Sequence, residues 1–286
     1  MASAGPKNML LGLIGAPIAH SASPAMHEAA AQALGLRCYY HLIEVAGADE
    51  AKLRAMLEGV RALAFTGVNV TYPYKEAVVP LLDALAPSAA DVGAVNTVAV
   101  RDGRLIGFNT DSSGFAKSVR RSIGDIAGQA IALIGAGGVG KAIGVALCEC
   151  GVGEIRIVDR APAKARALAQ TLARRVTAIP CASAEEALEG AEGLVNGTAV
   201  GMSPNRDTPA PFELLRGDLW VADAVYQPIW TPLLSAARDK GARVMSGREL
   251  AIDQAMDAFE IFAGRAASAA AMSAAFDRVI AMRQAA

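Results

Sequence analysis

Two successive α/β sheets are the fold class that this sequence predicts, and three observations carry it. Short apolar runs alternate with alanine-rich helical stretches from near the first residue to the last third of the chain. The stretch AVNTVAVRDGRLIGFNTD reads as a hairpin turning at Asp102-Gly103, which makes the first sheet mixed. A second α/β series starts afresh near Ala130, so the boundary falls near residues 109 to 128.

The elements follow in order. LLGLIG predicts a first strand that turns at Gly15, rather than a signal peptide. A helix is expected around Pro24 to Leu34, then the strand CYYHLIEV, a helix over Ala48 to Leu57 and the strand AFTGVNV. Residues 67–76, GVNVTYPYKE, end that strand where Pro73 cannot donate to a ladder, placing Lys75 just past a strand end. Taken alone, Lys75 reads either as a solvated turn lysine or as a catalytic group. A helix is expected over Ala77 to Leu85. Beyond the hairpin, the apolar strands IALIG, EIRIVD, GLVNGT, LWVADAVY and ARVMSG alternate with helices. The tail from Ala251 sets Ile252, Met256, Phe259 and Ile261 at near-helical spacing as core residues, with Gly264 ending the first tail helix.

Composition narrows the function. The chain has 286 residues, 53% hydrophobic and 19% charged, enough for two domains of ordinary size. With 27 basic and 28 acidic side chains, no long-range field gathers nucleic acid or an anionic membrane. No run predicts a membrane span. Cys38, Cys148, Cys150 and Cys181 show neither a CxxC pair nor metal spacing, and read as buried thiols of a cytoplasmic, reducing compartment. His20, His27 and His41 share no ligand pattern, so no metal is expected.

The strand IALIG runs into GAGGVG, where Gly135, Gly137 and Gly140 hold the GxGxxG places and Ala136, Gly138 and Val139 the positions between. Gly135 permits the tight turn, Gly137 leaves room for a pyrophosphate at the helix N-terminus, and Gly140 lets helix and strand approach. A second strand, EIRIVD, ends at Asp159, at the distance expected of the ribose-binding acid in a Rossmann-like unit. A carboxylate there favours NAD, because it would repel the 2′-phosphate of NADP. Arg160 leaves NADP as the weaker alternative: it stacks on adenine or partly accommodates a phosphate. Lys164 and Arg166 read as a solvated helix face.

Polar clusters remain at HSASP, NVTYPYK, AVNT with NTD, and DQAMDAF. Together with GAGGVG and DAVYQPIWTPLL they resemble, in order and over nearly the whole chain, the shikimate/quinate dehydrogenase family. The resemblance implies an N-terminal mixed-sheet substrate domain over 1–108, a Rossmann-like NAD-binding domain over 109–246, and C-terminal helices over 247–286 that return to the first domain. It implies a small hydroxylated cyclic carboxylic acid as substrate. The carboxylate falls to Ser21 and Ser23, aided by Thr71, although Ser23 before Pro24 also reads as a helix cap. Lys75 and Asp111 become the catalytic pair, with an N-cap as the other reading of Asp111. Asn96 and Gln254 contact ring hydroxyls. Asn69 contacts substrate or braces the turn, and Tyr226 lies near the nicotinamide or in the core. His20 is a packing residue in the family.

Two departures matter. The NADP-using members carry an asparagine-arginine-threonine run after the second strand, whereas this chain has Val158-Asp159-Arg160. The approach to the C-terminal glutamine is altered to GRELAIDQ, and Glu249 there either lines the site or faces solvent. Ser23, the usual residue of shikimate-selective members, favours reversible oxidation of shikimate at C3 to 3-dehydroshikimate by NAD. Quinate, or both acids, is the alternative. A non-catalytic nucleotide sensor or scaffold is the reading from another class, and the intact Lys75 and Asp111 argue against it. Both a monomer and a homodimer fit the sequence.

Overall fold

A computed structural model describes residues 8–284. The chain forms two compact units, one of residues up to Thr110 together with those from Gln254 onward, the other of Asp111–Asp253.

The first unit contains β1 (Asn8–Gly15), α1 (Ser23–Ala33), β2 (Arg37–Glu44), α2 (Glu50–Ala62), β3 (Gly67–Val70), β4 (Ala84–Leu85), α3 (Pro87–Val92), β5 (Thr97–Arg101) and β6 (Arg104–Phe108). Its sheet has the order β2-β1-β3-β5-β6-β4. β1 pairs in parallel with β2 and β3, while β5 runs antiparallel to both β3 and β6, so the sheet is mixed. Asp102 and Gly103 both adopt positive φ, 49° and 73°, in the two-residue turn between β5 and β6. Ile14, Leu57, Val68, Val98 and Leu105 form part of the core on this sheet.

One expected helix is not formed. Residues 77–85 make a turn, a 3-10 segment at Val79–Leu81 and the short strand β4 beside β6. Pro80 explains this, since inside an α-helix its ring would clash with the carbonyl of residue 76 and it supplies no N–H. The helix expected over Ala48 to Leu57 begins at Glu50 and runs to Ala62, with Asp49 as its cap, accepting from the Lys52 N–H at 2.8 Å.

The second unit contains α4 (Asp111–Ser122), β7 (Ala130–Ile134), α5 (Gly138–Glu149), β8 (Glu154–Val158), α6 (Pro162–Leu172), β9 (Thr177–Pro180), α7 (Ala184–Leu188), β10 (Gly193–Asn196), β11 (Trp220–Asp223), α8 (Pro232–Asp239) and β12 (Arg243–Met245). Its sheet is parallel throughout, in the order β12-β11-β10-β7-β8-β9. That is the doubly wound arrangement, with the reversal of direction between β7 and β10. β9 is an unexpected element, a four-residue edge strand with little apolar alternation and a terminal proline.

Helix α9 (Gly247–Ala263) starts in the second unit and ends in the first, and α10 (Ala269–Gln284) follows. Gly264, at φ 65°, closes α9. Within the first unit α10 packs against α1, and Phe259 and Phe262 of α9 are fully buried. Ile252 is buried as expected, whereas Met256 and Ile261 are only half-buried. The tail therefore returns to the first unit. No helix among the described residues is long and apolar enough to cross a membrane.

Candidate functional site

In the first unit the polar residues gather where β1, β3 and β5 meet their loops. Gly15 ends β1, and a Cβ on it would collide with the methyl of Thr71, so its bareness lets the segment after β3 close over the end of β1. The Ala16 N–H donates to the Tyr72 carbonyl at 3.0 Å and the Thr71 N–H to the Ile14 carbonyl at 2.9 Å. Ser21 and Ser23 lie half-buried at the start of α1, and the Ser21 hydroxyl donates to the Ser23 oxygen at 3.0 Å. Ser23 is not the helix cap: Ala22 holds that position, and the Ser21 oxygen accepts from the Ser23 N–H at 3.2 Å.

Lys75 is half-buried in the turn that follows β3. Its neighbour Tyr74 anchors that turn. The buried phenol donates to the Val45 carbonyl at 2.9 Å and accepts from the Ala48 N–H at 2.9 Å, while the Lys75 carbonyl accepts from the Val95 N–H at 2.8 Å.

Asn69 and Asn96 face a dense network. The Asn69 amide donates to the Asn96 carbonyl at 3.1 Å and to the Thr97 hydroxyl at 3.0 Å, and its oxygen accepts from Tyr40 at 2.9 Å. Asn69 thus braces the strand ends. The Asn96 oxygen accepts from the Thr110 N–H at 2.9 Å and the Thr97 hydroxyl at 3.0 Å, and its amide reaches the Thr110 hydroxyl at 2.9 Å and the Gln254 oxygen at 3.4 Å. Gln254, 158 residues away in sequence, therefore meets Asn96.

Thr110, within the NTD run, is not among the residues expected at the site. His20 is exposed. His27 is buried and stacks on Tyr40 with ring centroids 5.0 Å apart, its Nδ1 without a hydrogen-bond partner. Burial lowers its pKa to about 3, so it stays neutral.

In the second unit Asp111 is the first residue of α4 and is buried. The glycine loop follows β7. Gly135 has φ 105°, and a Cβ there would lie 2.6 Å from the Thr198 methyl. Around a Cβ on Gly137, the cap of α5, there is open space, whereas one on Gly140 would collide with the Gly135 carbonyl. The loop therefore fits a dinucleotide pyrophosphate, with room at the helix N-terminus where backbone N–H groups are unpaired. Ala136 is buried and Gly138 and Val139 half-buried.

Asp159 follows β8 directly, half-buried beside that loop. One carboxylate oxygen accepts from the Ala136 N–H at 2.8 Å and the other from the Ala161 N–H at 2.8 Å. Each oxygen keeps a second lone pair. Arg160, Lys164 and Arg166 are exposed. Tyr226 is half-buried in the loop after β11, outside the buried core.

Glu249 is half-buried. It accepts from the Ser246 hydroxyl at 2.7 Å, and Ser246 in turn accepts from the Arg248 N–H at 3.3 Å, closing the start of α9. The SGRE run carries this S-x-x-E capping signature. The four cysteines are free, with Cys181 buried and the others half-buried; burial pushes the Cys38 thiol up to about 12 and Cys148 to about 11. Among the described residues no group of three or more His, Cys, Asp or Glu side chains could hold a metal.

Comparison with known proteins bears on both halves. The shikimate dehydrogenase substrate binding domain matches residues 13–98, and the shikimate / quinate 5-dehydrogenase family matches residues 117–202. The chain is 42% identical to a shikimate dehydrogenase (NADP(+)) of Streptomyces avermitilis, over 90% of each chain. It is 41% identical to a quinate/shikimate dehydrogenase (NAD(+)) of Corynebacterium efficiens, over 94% of this chain and 98% of that one. A solved structure of quinate dehydrogenase from Corynebacterium glutamicum in complex with NAD superposes with a TM-score of 0.87 at 37% identity, covering 95% of this chain and 99% of that one. A glycine loop built for a dinucleotide, a polar strand-end network and this length-wide likeness agree: the chain belongs to the shikimate/quinate dehydrogenase family of NAD(P)-dependent oxidoreductases.

Proposed function

We propose that this protein is an NAD-linked shikimate dehydrogenase that interconverts shikimate and 3-dehydroshikimate. The observation that carries the cofactor half is Asp159, whose carboxylate sits at the glycine loop, hydrogen-bonded to Ala136. Negative charge there favours ribose hydroxyls and opposes a 2′-phosphate. Arg160, exposed beside it, keeps NADP as a weaker cofactor. Gly135 through Gly140 hold the pyrophosphate. When bound, the nicotinamide takes up or returns the hydride, and the chain's own groups do the rest.

Ser21 and Ser23, whose oxygens lie 3.0 Å apart, hold the substrate carboxylate by paired hydroxyl donors together with Thr71. Asn96 and Gln254 orient the ring hydroxyls, and Asn69 acts chiefly by keeping Asn96 and Thr97 in register. Lys75 takes the alcohol proton at Nζ during oxidation and returns it in reduction, with Asp111 orienting the ammonium and the substrate. Tyr226 serves the nicotinamide side. In this reading residues 1–108 bind substrate, 109–246 bind cofactor and 247–286 bring back Gln254. The free thiols suit a reducing cytoplasm.

Quinate, or both acids, is the second reading, favoured by the likeness to the quinate/shikimate dehydrogenase of Corynebacterium efficiens and the quinate dehydrogenase of Corynebacterium glutamicum. The test is kcat/KM for shikimate and quinate with NAD and NADP, in wild type and Asp159→Ala. Because the carboxylate also holds two backbone N–H groups, Asp159→Ala should weaken both cofactors, NAD by about 1–3 kcal/mol and NADP less. An unchanged NAD/NADP ratio, or wild-type preference for NADP, defeats the cofactor proposal. A larger kcat/KM for quinate moves the substrate assignment to the second reading.

A further inference from the structure

The second unit buries a carboxylate that the proposed chemistry does not use. Asp223, the last residue of β11, is only 1% exposed, and burial pushes its pKa up to about 6. Removing a carboxylate from water is costly, and an apolar residue of similar size would suit stability better. Its geometry suggests what it does instead. The Asn196 amide donates to Oδ1 at 2.9 Å, the Val225 N–H donates to the same oxygen at 2.9 Å, and the Thr231 hydroxyl donates to Oδ2 at 2.7 Å.

Each partner controls a loop. Val225 and Thr231 mark the two ends of the segment that carries Tyr226, and Thr231 also caps α8 through the Leu234 N–H at 3.2 Å. Asn196, the last residue of β10, uses its oxygen to accept from the N–H and hydroxyl of Thr198, at 3.0 and 2.7 Å, and its amide to reach the Val200 carbonyl at 3.1 Å. Thr198 is the residue that a Cβ on Gly135 would strike, so this second loop lies against the glycine turn. The Ser203 N–H joins the two loops, donating to the Gln227 carbonyl at 2.8 Å.

We propose that Asp223 is a positioning residue for the dinucleotide site, fixing through Asn196 the loop that lies against the glycine turn and through Thr231 the loop hydrogen-bonded to it. The inference rests on the reading of the second unit as the cofactor unit. It assigns no contact between Asp223 and the cofactor. One buried carboxylate satisfies three donors that no single neutral side chain of its size could accept from equally well.

Asp223→Asn replaces one acceptor oxygen by an amide donor with little change of shape, and Thr231→Val removes the third hydrogen bond from the other side. Calorimetric titration of each full-length variant with NAD, and with NADP, should show dissociation constants raised about tenfold for Asp223→Asn and about threefold for Thr231→Val. The KM for the acid at saturating cofactor should stay within about twofold of wild type, a split that a general loss of folding would not produce. If Asp223→Asn does not fold, Thr231→Val decides alone. Folded variants that bind NAD as tightly as wild type, or that lose acid and cofactor binding equally, overturn the proposal while leaving the cofactor unit's role intact. Wild-type protein that binds neither dinucleotide overturns the reading of the unit, and this inference with it.

Discussion

The strand-end network of the first unit and the glycine turn of the second are prepared by opposite means. In the first, side chains do the shaping: Tyr40, Asn69, Asn96, Thr97, Thr110 and Gln254 interlock at the strand ends, and Tyr74 ties down the turn that carries Lys75. In the second, the central feature is missing side chains, since Gly135 and Gly140 could not carry a Cβ without collision and Gly137 leaves its space open. Binding a hydroxylated ring calls for many directed polar groups, while binding a pyrophosphate calls for bare backbone N–H groups. The strand-end network should therefore be damaged by removing side chains, and the glycine turn by adding one.

The largest effect is expected at Lys75. Lys75→Ala should lower kcat by a factor of about 10² or more with a smaller change in KM, if the amine acts in proton transfer as proposed. Steady-state rates with shikimate and NAD check this, and a change confined to KM would reassign Lys75 to uniform binding.

His27 tests how far the first unit depends on an imidazole that it keeps dry. The folded protein holds it neutral down to about pH 3, while the unfolded chain takes up a proton near 6.5. Its contribution to stability is complete above pH 6.5 and is lost as pH falls from there toward 3. Between pH 7 and pH 5 that amounts to about 2 kcal/mol. Asp223 works in the other direction, its raised pKa making stability fall as pH rises from about 4 to about 6. Subtracting the pH dependence of His27→Phe from that of wild type, in denaturant melts, isolates the imidazole. Parallel curves would mean that His27 is hydrated in solution.

Asn69→Ala should cost about 1–2 kcal/mol of stability, as the Tyr40 hydroxyl and Thr97 lose a partner. It should raise the KM for the acid more than that for NAD. Equal rises would show that the bracing does not end at the substrate side.

The mildest change belongs to the other unit. Gly137→Ala meets nothing within 4 Å, so the melting temperature should hold within about 1 °C, yet NAD should bind about tenfold more weakly, or about 1.4 kcal/mol. Undiminished NAD binding would remove Gly137 from the pyrophosphate site.

What the sequence made legible was local. Asp102-Gly103 announced its turn, GAGGVG its loop and Gly264 its helix end, because each depends on backbone conformations that few residues adopt. Pro80 carried the signal against the helix at 77–85 and was outweighed by the apolar run around it. The SGRE cap was equally local and equally available. The Asn196, Asp223 and Thr231 cluster was of another kind, formed by two residues at adjacent strand ends and a third at the cap of α8, with no spacing that reveals it. Gln254 meeting Asn96 came from resemblance, since no periodicity links positions 158 apart.

The interrupted path of the first unit has a consequence for synthesis. Residues of the second unit form one unbroken stretch and can finish folding while the chain is still emerging, whereas the first unit waits for Phe259 and Phe262 from near its end. Gly67 shows how closely that delay is built in, because the space where its Cβ would lie, 2.5 Å away, belongs to the ring of Phe262. Until α9 has been made, the first unit has a hollow over Gly67 and an unshielded His27, the state that a chaperone or a protease would meet.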